Sequence, residues 1–241
     1  MTGGITRGPL LAVRNLDAWY GPAHVLHEVS LEVAAGEAVV LLGRNGAGKS
    51  TVMKAIMGLE VERRGSIRFD GEEIGSWATH RIALKGLGYV PEDRRVFAGL
   101  TVRENLAVGR QPARDGGAWT TDELFKLFPN LEHMQDRLGG HMSGGEQQML
   151  TLARTLMGNP RCILLDEPSE GLAPVIIEGI ADAIAALKRR GVGFLVSEQN
   201  LHFARLIANR AAIIETGIIR FNGTISEIDA DPSLSAHYLA V

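Results

Sequence analysis

The chain is poor in several residue types whose abundance would define a protein class. Its one cysteine, Cys162, cannot form an internal disulfide, which excludes a disulfide-framed secreted scaffold and fits a reducing compartment. Cys162 opens the apolar run Cys162-Ile163-Leu164-Leu165 and reads as a buried small hydrophobe. Proline is scarce, at 9, and the 29 glycines follow no collagen-like period, so neither a fibrous nor a low-complexity chain is indicated. No stretch approaches the roughly 18 uncharged apolar residues a membrane span requires, and no basic start leads into an apolar region, so neither a membrane span nor a signal peptide is expected. Net charge is only −3, and the basic clusters Arg63-Arg64, Arg94-Arg95 and Lys188-Arg189-Arg190 are short, so no nucleic-acid footprint emerges. None of the seven histidines sits in a zinc-like Cys/His spacing, and His24 and His27 read as surface residues flanking a strand. Trp19, Trp77 and Trp119 form no base-stacking pattern.

The composition that remains is that of a globular protein, 45% apolar and 22% charged over 241 residues. Residues 1–9 are Gly-rich and expected to be flexible, and residues 10–241 are expected to form one domain. Alternating apolar residues over Leu10–Tyr20 and Val25–Val33 predict two strands joined near Gly21-Pro22. The continuous run Ala38-Val39-Val40-Leu41-Leu42 suits a strand buried on both faces of a parallel sheet. A helix is expected over Gly48–Met57 and a strand over Gly65–Asp70. Short helices are expected over Thr101–Val108, Thr121–Leu127 and Leu131–Leu138, within a mainly helical insertion spanning about 86–158. Strand–helix–strand alternation then resumes with Arg161–Asp166, Pro174–Arg190 and Val192–Ser197, and a hairpin follows over Arg210–Glu215 and Ile218–Phe221. Repeated units of this kind indicate an α/β fold.

Three motifs carry chemistry. Gly43-Arg44-Asn45-Gly46-Ala47-Gly48-Lys49-Ser50, followed by Thr51, matches G-x-x-x-x-G-K-[ST] between a buried strand and a helix. In that setting the glycines let backbone N–H groups turn towards phosphate oxygens, and the helix N-terminus adds partial positive charge. Lys49 is then the residue to reach the β/γ-phosphates and Ser50 the hydroxyl for Mg²⁺. The run Cys162–Leu165 ends in Asp166 and Glu167, placing one carboxylate to hold Mg²⁺ and a second to accept a proton from an attacking water. Third, Ser143-Gly144-Gly145-Glu146-Gln147-Gln148 precedes a helix, so a serine and two glycines form a second anion-binding helix start.

In this order the three motifs resemble the ATP-binding cassette family, specifically transporter nucleotide-binding subunits, over about residues 10–240. The resemblance implies a P-loop NTPase core with a mainly parallel sheet, an N-terminal antiparallel β subdomain and a helical insertion subdomain. It also implies that Tyr20 stacks on adenine and that Glu92, in Tyr89-Val90-Pro91-Glu92, stands where relatives usually carry a metal-binding glutamine. Gln199 takes the place of the usual switch histidine, and Ala173 that of an interface aspartate. A Gln amide can bond a phosphate oxygen but cannot become cationic.

Glu92, the run Glu167-Pro168-Ser169-Glu170-Gly171-Leu172-Ala173-Pro174 and Glu198-Gln199-Asn200 look like one of the two ATPase subunits of branched-chain amino acid importers. Urea or short-chain amide importer ATPases are closely similar. The resemblance therefore implies an ATP hydrolase using Mg²⁺, paired head to tail with a sister ATPase or a second copy, so that Ser143, Gly144, Gly145 and Glu146 complete the partner's site. Two membrane permeases, and indirectly a periplasmic solute-binding protein, are the implied partners. The implied location is peripheral, at the cytoplasmic face of the inner (plasma) membrane. Gln199 and Ala173 keep open a regulatory half with weak hydrolysis at its own Walker face. A chromosome-maintenance ATPase would need a long coiled-coil insertion or a DNA-binding surface, and the chain shows neither.

Overall fold

Two hydrophobic periodicities build two sheets in the computed structural model, which describes residues 8–113 and 117–234. The expected flexibility of residues 1–9 falls mostly on residues 1–7, which lie outside the described residues, as does His237. The first sheet is antiparallel and contains β1 (Leu11–Tyr20), β2 (Ala23–Val33), β4 (Glu62–Phe69) and the short β5 (Glu72–Glu73), in the order β2-β1-β4-β5. Buried Leu11, Val13, Leu16 and Ala18 alternate with more exposed neighbours along β1, as one-sided burial requires.

The second sheet contains β3 (Ala38–Leu42), β6 (Leu87–Val90), β7 (Cys162–Asp166), β8 (Gly193–Glu198), β9 (Arg210–Glu215) and β10 (Ile218–Gly223). Its order is β10-β9-β3-β8-β7-β6, and every pairing from β9 to β6 is parallel. β3 and β7 are buried at every position because both sheet faces are covered. Val40, Leu42, Ile163, Leu165, Phe194 and Val196 enter one core. On that side lie α6 (Gly144–Leu156), α7 (Pro174–Arg189) and α8 (Leu201–Ile207), through residues such as Leu150, Ile184 and Phe203. Val39, Leu41, Cys162, Leu164 and Leu195 enter the other core, with the antiparallel sheet and α1 (Lys49–Met57).

Two boundaries differ from the sequence reading. Leu87–Val90 pairs in parallel with Cys162–Leu165, so the helical segment begins after Val90 and not at residue 86. The expected helix over Leu131–Leu138 is instead α5 (Pro129–Glu132) followed by turns. The carbonyls of Gln135 and Arg137 leave a helical path to accept N–H groups of Arg103 and Val102, both at 3.0 Å. They thereby satisfy otherwise unpaired donors at the start of α3 (Val102–Gly109). The segment also contains α4 (Thr121–Leu127), as expected. The described chain also contains α2 (Thr79–Lys85), α9 (Ile225–Ala230) and a 3-10 turn over Gly139–His141.

This topology directs the C-terminal ends of β3, β7 and β8 to one rim of the parallel sheet, where ligands bind in open α/β folds. Leu164 is fully buried at the centre of β7. Leu164→Ala is expected to lower the unfolding free energy by about 2–5 kcal/mol, read from the midpoint shift in urea titration.

Candidate functional site

The turn from β3 into α1 sits on that rim. Gly46 and Gly48 adopt φ of 79° and 108°, the left-handed region open to glycine. A Cβ on Gly43 would lie 2.5 Å from the Ile214 carbonyl oxygen, so the backbone passes where no side chain fits. α1 starts at Gly48 without a side-chain cap and has no acidic residue in its first turn. Its N-terminal amides are therefore suited to a phosphate. Lys49 is only 3% exposed. Its Nζ donates to the carbonyls of Gly43 at 2.9 Å and Arg44 at 3.1 Å and lies 3.0 Å from Glu167 Oε1. Arg44, Asn45 and Gly46 are exposed, whereas Ala47 and Thr51 are buried.

Asp166, at the end of β7, gathers three neighbouring elements. Its Oδ1 accepts hydrogen bonds from Ser50 Oγ at 2.9 Å and from Ser197 Oγ at 2.5 Å, and its Oδ2 accepts one from the Tyr89 hydroxyl at 3.2 Å. Burial, followed by the adjacent Asp166 carboxylate, holds the Tyr89 phenol well above its ordinary pKa, so it remains a donor. Ser197 also accepts from the Glu167 N–H at 3.0 Å. That bond anchors Glu167 at φ 46°, an unusual conformation for a non-glycine residue at the strand-to-loop turn.

Glu198 is nearly fully buried, yet its carboxylate is well supplied with donors. It accepts from the backbone N–H groups of Ser169, Gln199 and Asn200 at 3.0, 3.2 and 3.1 Å, and its own carbonyl accepts from Gly43 N–H at 3.2 Å. Burial is the leading influence and raises its pKa, while the hydrogen bonds pull the other way. One side chain thus ties the loop after Glu167 to the loop bearing Gln199, and its backbone ties both to Gly43. The roles of Ser197 and Glu198 were not assigned from sequence. The available signal was the polar ending Ser197-Glu198 on an otherwise apolar strand.

The remaining expected residues are spread around this centre. Tyr20 is 38% exposed at the end of β1, and Gln199 is exposed beside Glu198. Glu92 lies just beyond β6. Its pKa is raised by burial first and then by the negative charges of Glu170, Glu167 and Asp166. Ser143 and Glu146 form a reciprocal cap on α6. Their hydrogen bonds stay within that helix start and do not reach the phosphate loop. Ala173 precedes α7 as its N-terminal flank, without a side-chain cap.

The oxygen set fits Mg²⁺. Ser50 Oγ and Asp166 Oδ1 are already within hydrogen-bond distance of each other, and both are hard oxygen donors of the kind Mg²⁺ prefers.

Comparison with known proteins gives the family. A model of the ABC transporter family matches residues 26–170. The chain is 42% identical over 231 residues to a high-affinity branched-chain amino acid transport ATP-binding protein of Pseudomonas aeruginosa, covering 95% of this chain and 99% of the relative. It is 37% identical over 234 residues to a lipopolysaccharide export system ATP-binding protein of Haemophilus influenzae, covering 95% and 97%. A crystal structure of a nucleotide-free ATP-binding cassette from an ABC transporter superposes with a TM-score of 0.79 at 26% identity, covering 93% of this chain and 96% of that one. Among the described residues, no helix is long and apolar enough to cross a membrane. The buried Lys49–Glu167–Asp166 centre, the two sheets around it and the full-length similarity have one common explanation: the chain belongs to the ATP-binding subunits of ABC transporters, ATPases coupled to transport.

Proposed function

We propose that this subunit hydrolyses Mg²⁺-bound ATP to energise an importer of branched-chain amino acids. The observation that carries the ATPase reading is the contact of Lys49, Ser50, Asp166 and Glu167 at one sheet rim. The backbone from Gly43 to Thr51 would wrap the triphosphate, with the amides of Arg44, Asn45, Gly46, Ala47 and Gly48 facing its oxygens. Lys49 would exchange the Glu167 carboxylate for a phosphate oxygen, because one ammonium cannot hold both at full strength. That exchange frees Glu167 to orient the attacking water and accept its proton. Ser50, Asp166 and Glu92 would hold Mg²⁺, which supplies charge neutralisation on the transferred phosphoryl group. Gln199 would donate its amide to the γ-phosphate, and Tyr20 would stack on adenine.

ABC ATPases work as dimers with membrane permease subunits. In this reading a sister ATPase or second copy places its own Ser143, Gly144, Gly145 and Glu146 against the triphosphate, and nucleotide charge between two helix starts favours closure. A groove of about 520 Å³ beside α2, β6 and α6 is lined by Leu84, Tyr89 and Arg154. Because Tyr89 also bonds Asp166, the groove is one residue from the carboxylate that would hold Mg²⁺. It is the route by which a permease would sense nucleotide state. The subunit would then sit peripherally at the cytoplasmic face of the inner membrane, with a periplasmic solute-binding protein delivering solute from the other side.

The solute assignment rests on the branched-chain relative and on the pattern of Glu92, residues 167–174 and residues 198–200. Lipopolysaccharide-export relatives at 35–37% identity, and urea or amide importers, are the competing assignments. Gln199 and Ala173 favour a second reading, a nucleotide-binding half with weak hydrolysis at its own face. In a strain lacking the chain, re-expression is expected to restore uptake of labelled leucine, isoleucine and valine. Restored urea uptake or restored lipopolysaccharide export, with leucine uptake unchanged, would reject the assignment.

Glu167→Gln in the assembled complex is expected to retain ATP binding and reduce phosphate release by about 10²–10⁴-fold. Turnover left intact would remove Glu167 as the base. If single-turnover hydrolysis at this face is already absent with Glu167 in place, the regulatory reading gains. Ser197→Ala removes the hydroxyl that orients both Asp166 and Glu167. It is expected to lower kcat more than it raises KM for ATP, and to reduce stability by about 1.5–3 kcal/mol, since a hydrogen bond to a buried charged group is lost. Steady-state phosphate release and urea unfolding read the two effects separately.

A further inference from the structure

On the antiparallel sheet, the structure collects three side chains that sequence spacing keeps apart. His24 and His27 are three residues apart, and in a regular strand they would point to opposite faces. β2 is not regular. Trp19 pairs with His24 while Ala18 pairs with Leu26, which leaves Val25 as an extra residue. Leu16 pairs with Val29 while Ala18 pairs with Leu26, so a second irregularity falls at His27–Glu28, where Glu28 has φ 50°. The two bulges redirect the strand, as such insertions do. Both imidazoles arrive on the side of Asp17.

The resulting cluster is tight. His24 Nε2 and Asp17 Oδ1 are 2.8 Å apart, and the two imidazole centroids are 4.0 Å apart at 54°. One ligand atom from each of Asp17, His24 and His27 lies within 4.8 Å of the others. Among the described residues this is the one group of three His, Cys, Asp or Glu side chains with that property. The side chains are also held in place. Trp19 stacks on the His24 ring at 4.4 Å and 17°, and the backbone N–H of His27 donates to the Gly217 carbonyl at 2.9 Å, which fixes the main chain there. Asp17 further accepts from the Glu28 N–H at 3.4 Å.

The geometry points to a surface site for a borderline divalent cation of the Zn²⁺ class, bound by His24, His27 and Asp17 with water in the fourth position. Zn²⁺ bonds of about 2.0–2.2 Å put tetrahedral ligand atoms about 3.4 Å apart, so closing this cluster needs side-chain shifts of only about 1 Å. Two imidazoles and one carboxylate favour Zn²⁺, Ni²⁺ or Cu²⁺ over Mg²⁺, whereas the Ser50–Asp166 oxygen set favours Mg²⁺. The two sites therefore differ in donor chemistry as well as position. A cation here would fasten β1 to β2 beside the hairpin turn that follows Tyr20. A surface Asp17–His24 contact by itself would contribute little and would not require the His27 ring to lie 4.0 Å from that of His24.

The test uses the full chain, stripped with a chelator and returned to excess Mg²⁺ so that oxygen sites are filled. Zn²⁺ titration by calorimetry is expected to show one ion per chain. His24→Ala and His27→Ala are each expected to weaken binding by about tenfold or more, while His202→Ala, an exposed histidine on α8, leaves it unchanged. Zn²⁺ is expected to raise the Tm of the wild-type chain and not that of the His24→Ala/His27→Ala double variant. Should that double variant fold poorly, Co²⁺ added to the wild-type chain provides an independent reading through its ligand-field spectrum: a four-coordinate nitrogen–oxygen pattern supports the site. Absence of Zn²⁺ binding in excess Mg²⁺, a hexa-aqua Co²⁺ spectrum, or wild-type affinity in a folded double variant would overturn the proposal.

Discussion

The Asp166 carboxylate is the point on which the arrangement of the nucleotide site depends. It lies at the end of a fully buried strand and accepts hydrogen bonds from Ser50 at the start of α1, Tyr89 on β6 and Ser197 on β8. A charge this deep is tolerated only when its lone pairs are occupied. The need to satisfy it positions the phosphate loop on one side and the strand leading to Glu92 on the other. Shifting any of these three elements would leave a buried carboxylate short of a donor, so all three are tied to one point.

Glu198 does comparable work one strand further along. Its carboxylate gathers three backbone amides from two loops, and its carbonyl holds the first residue of the phosphate loop. The segments bearing Glu167 and Gln199 are irregular backbone near a buried rim, and such backbone is stable only with its polar groups paired. The cost of burying Glu198 is visible in its raised pKa. In return the loops beyond β7 and β8 are linked to the turn that would receive the triphosphate.

Much of this was readable from the sequence because the informative residues are consecutive. Gly43 to Ser50, Ser143 to Gln148 and Cys162 to Glu167 each place chemistry and local geometry in a single run. The split of β3 and β7 between two cores follows from a continuous apolar run, which makes sense only in a sheet covered on both sides. What could not be read depends on contacts between distant segments. Ser197 and Asp166 are 31 residues apart and meet only through strand register. β6 has four residues, one of them glycine, too short a pattern to separate from the helical segment. The stretch after Glu132 has helical periodicity, but its carbonyls are drawn away to the start of α3. The gathering of His24 and His27 depends on two bulges that composition does not announce.

The lone cysteine also has a practical meaning. Cys162 is fully buried at the start of β7, and burial pushes its thiol pKa up to about 12. Its thiolate is therefore both scarce and shielded under native conditions. The natural chain already serves as a silent background for thiol labelling. A cysteine placed on an exposed loop would be the sole reactive thiol, so a fluorophore or spin label could follow subunit closure during an ATP cycle without first removing a native residue.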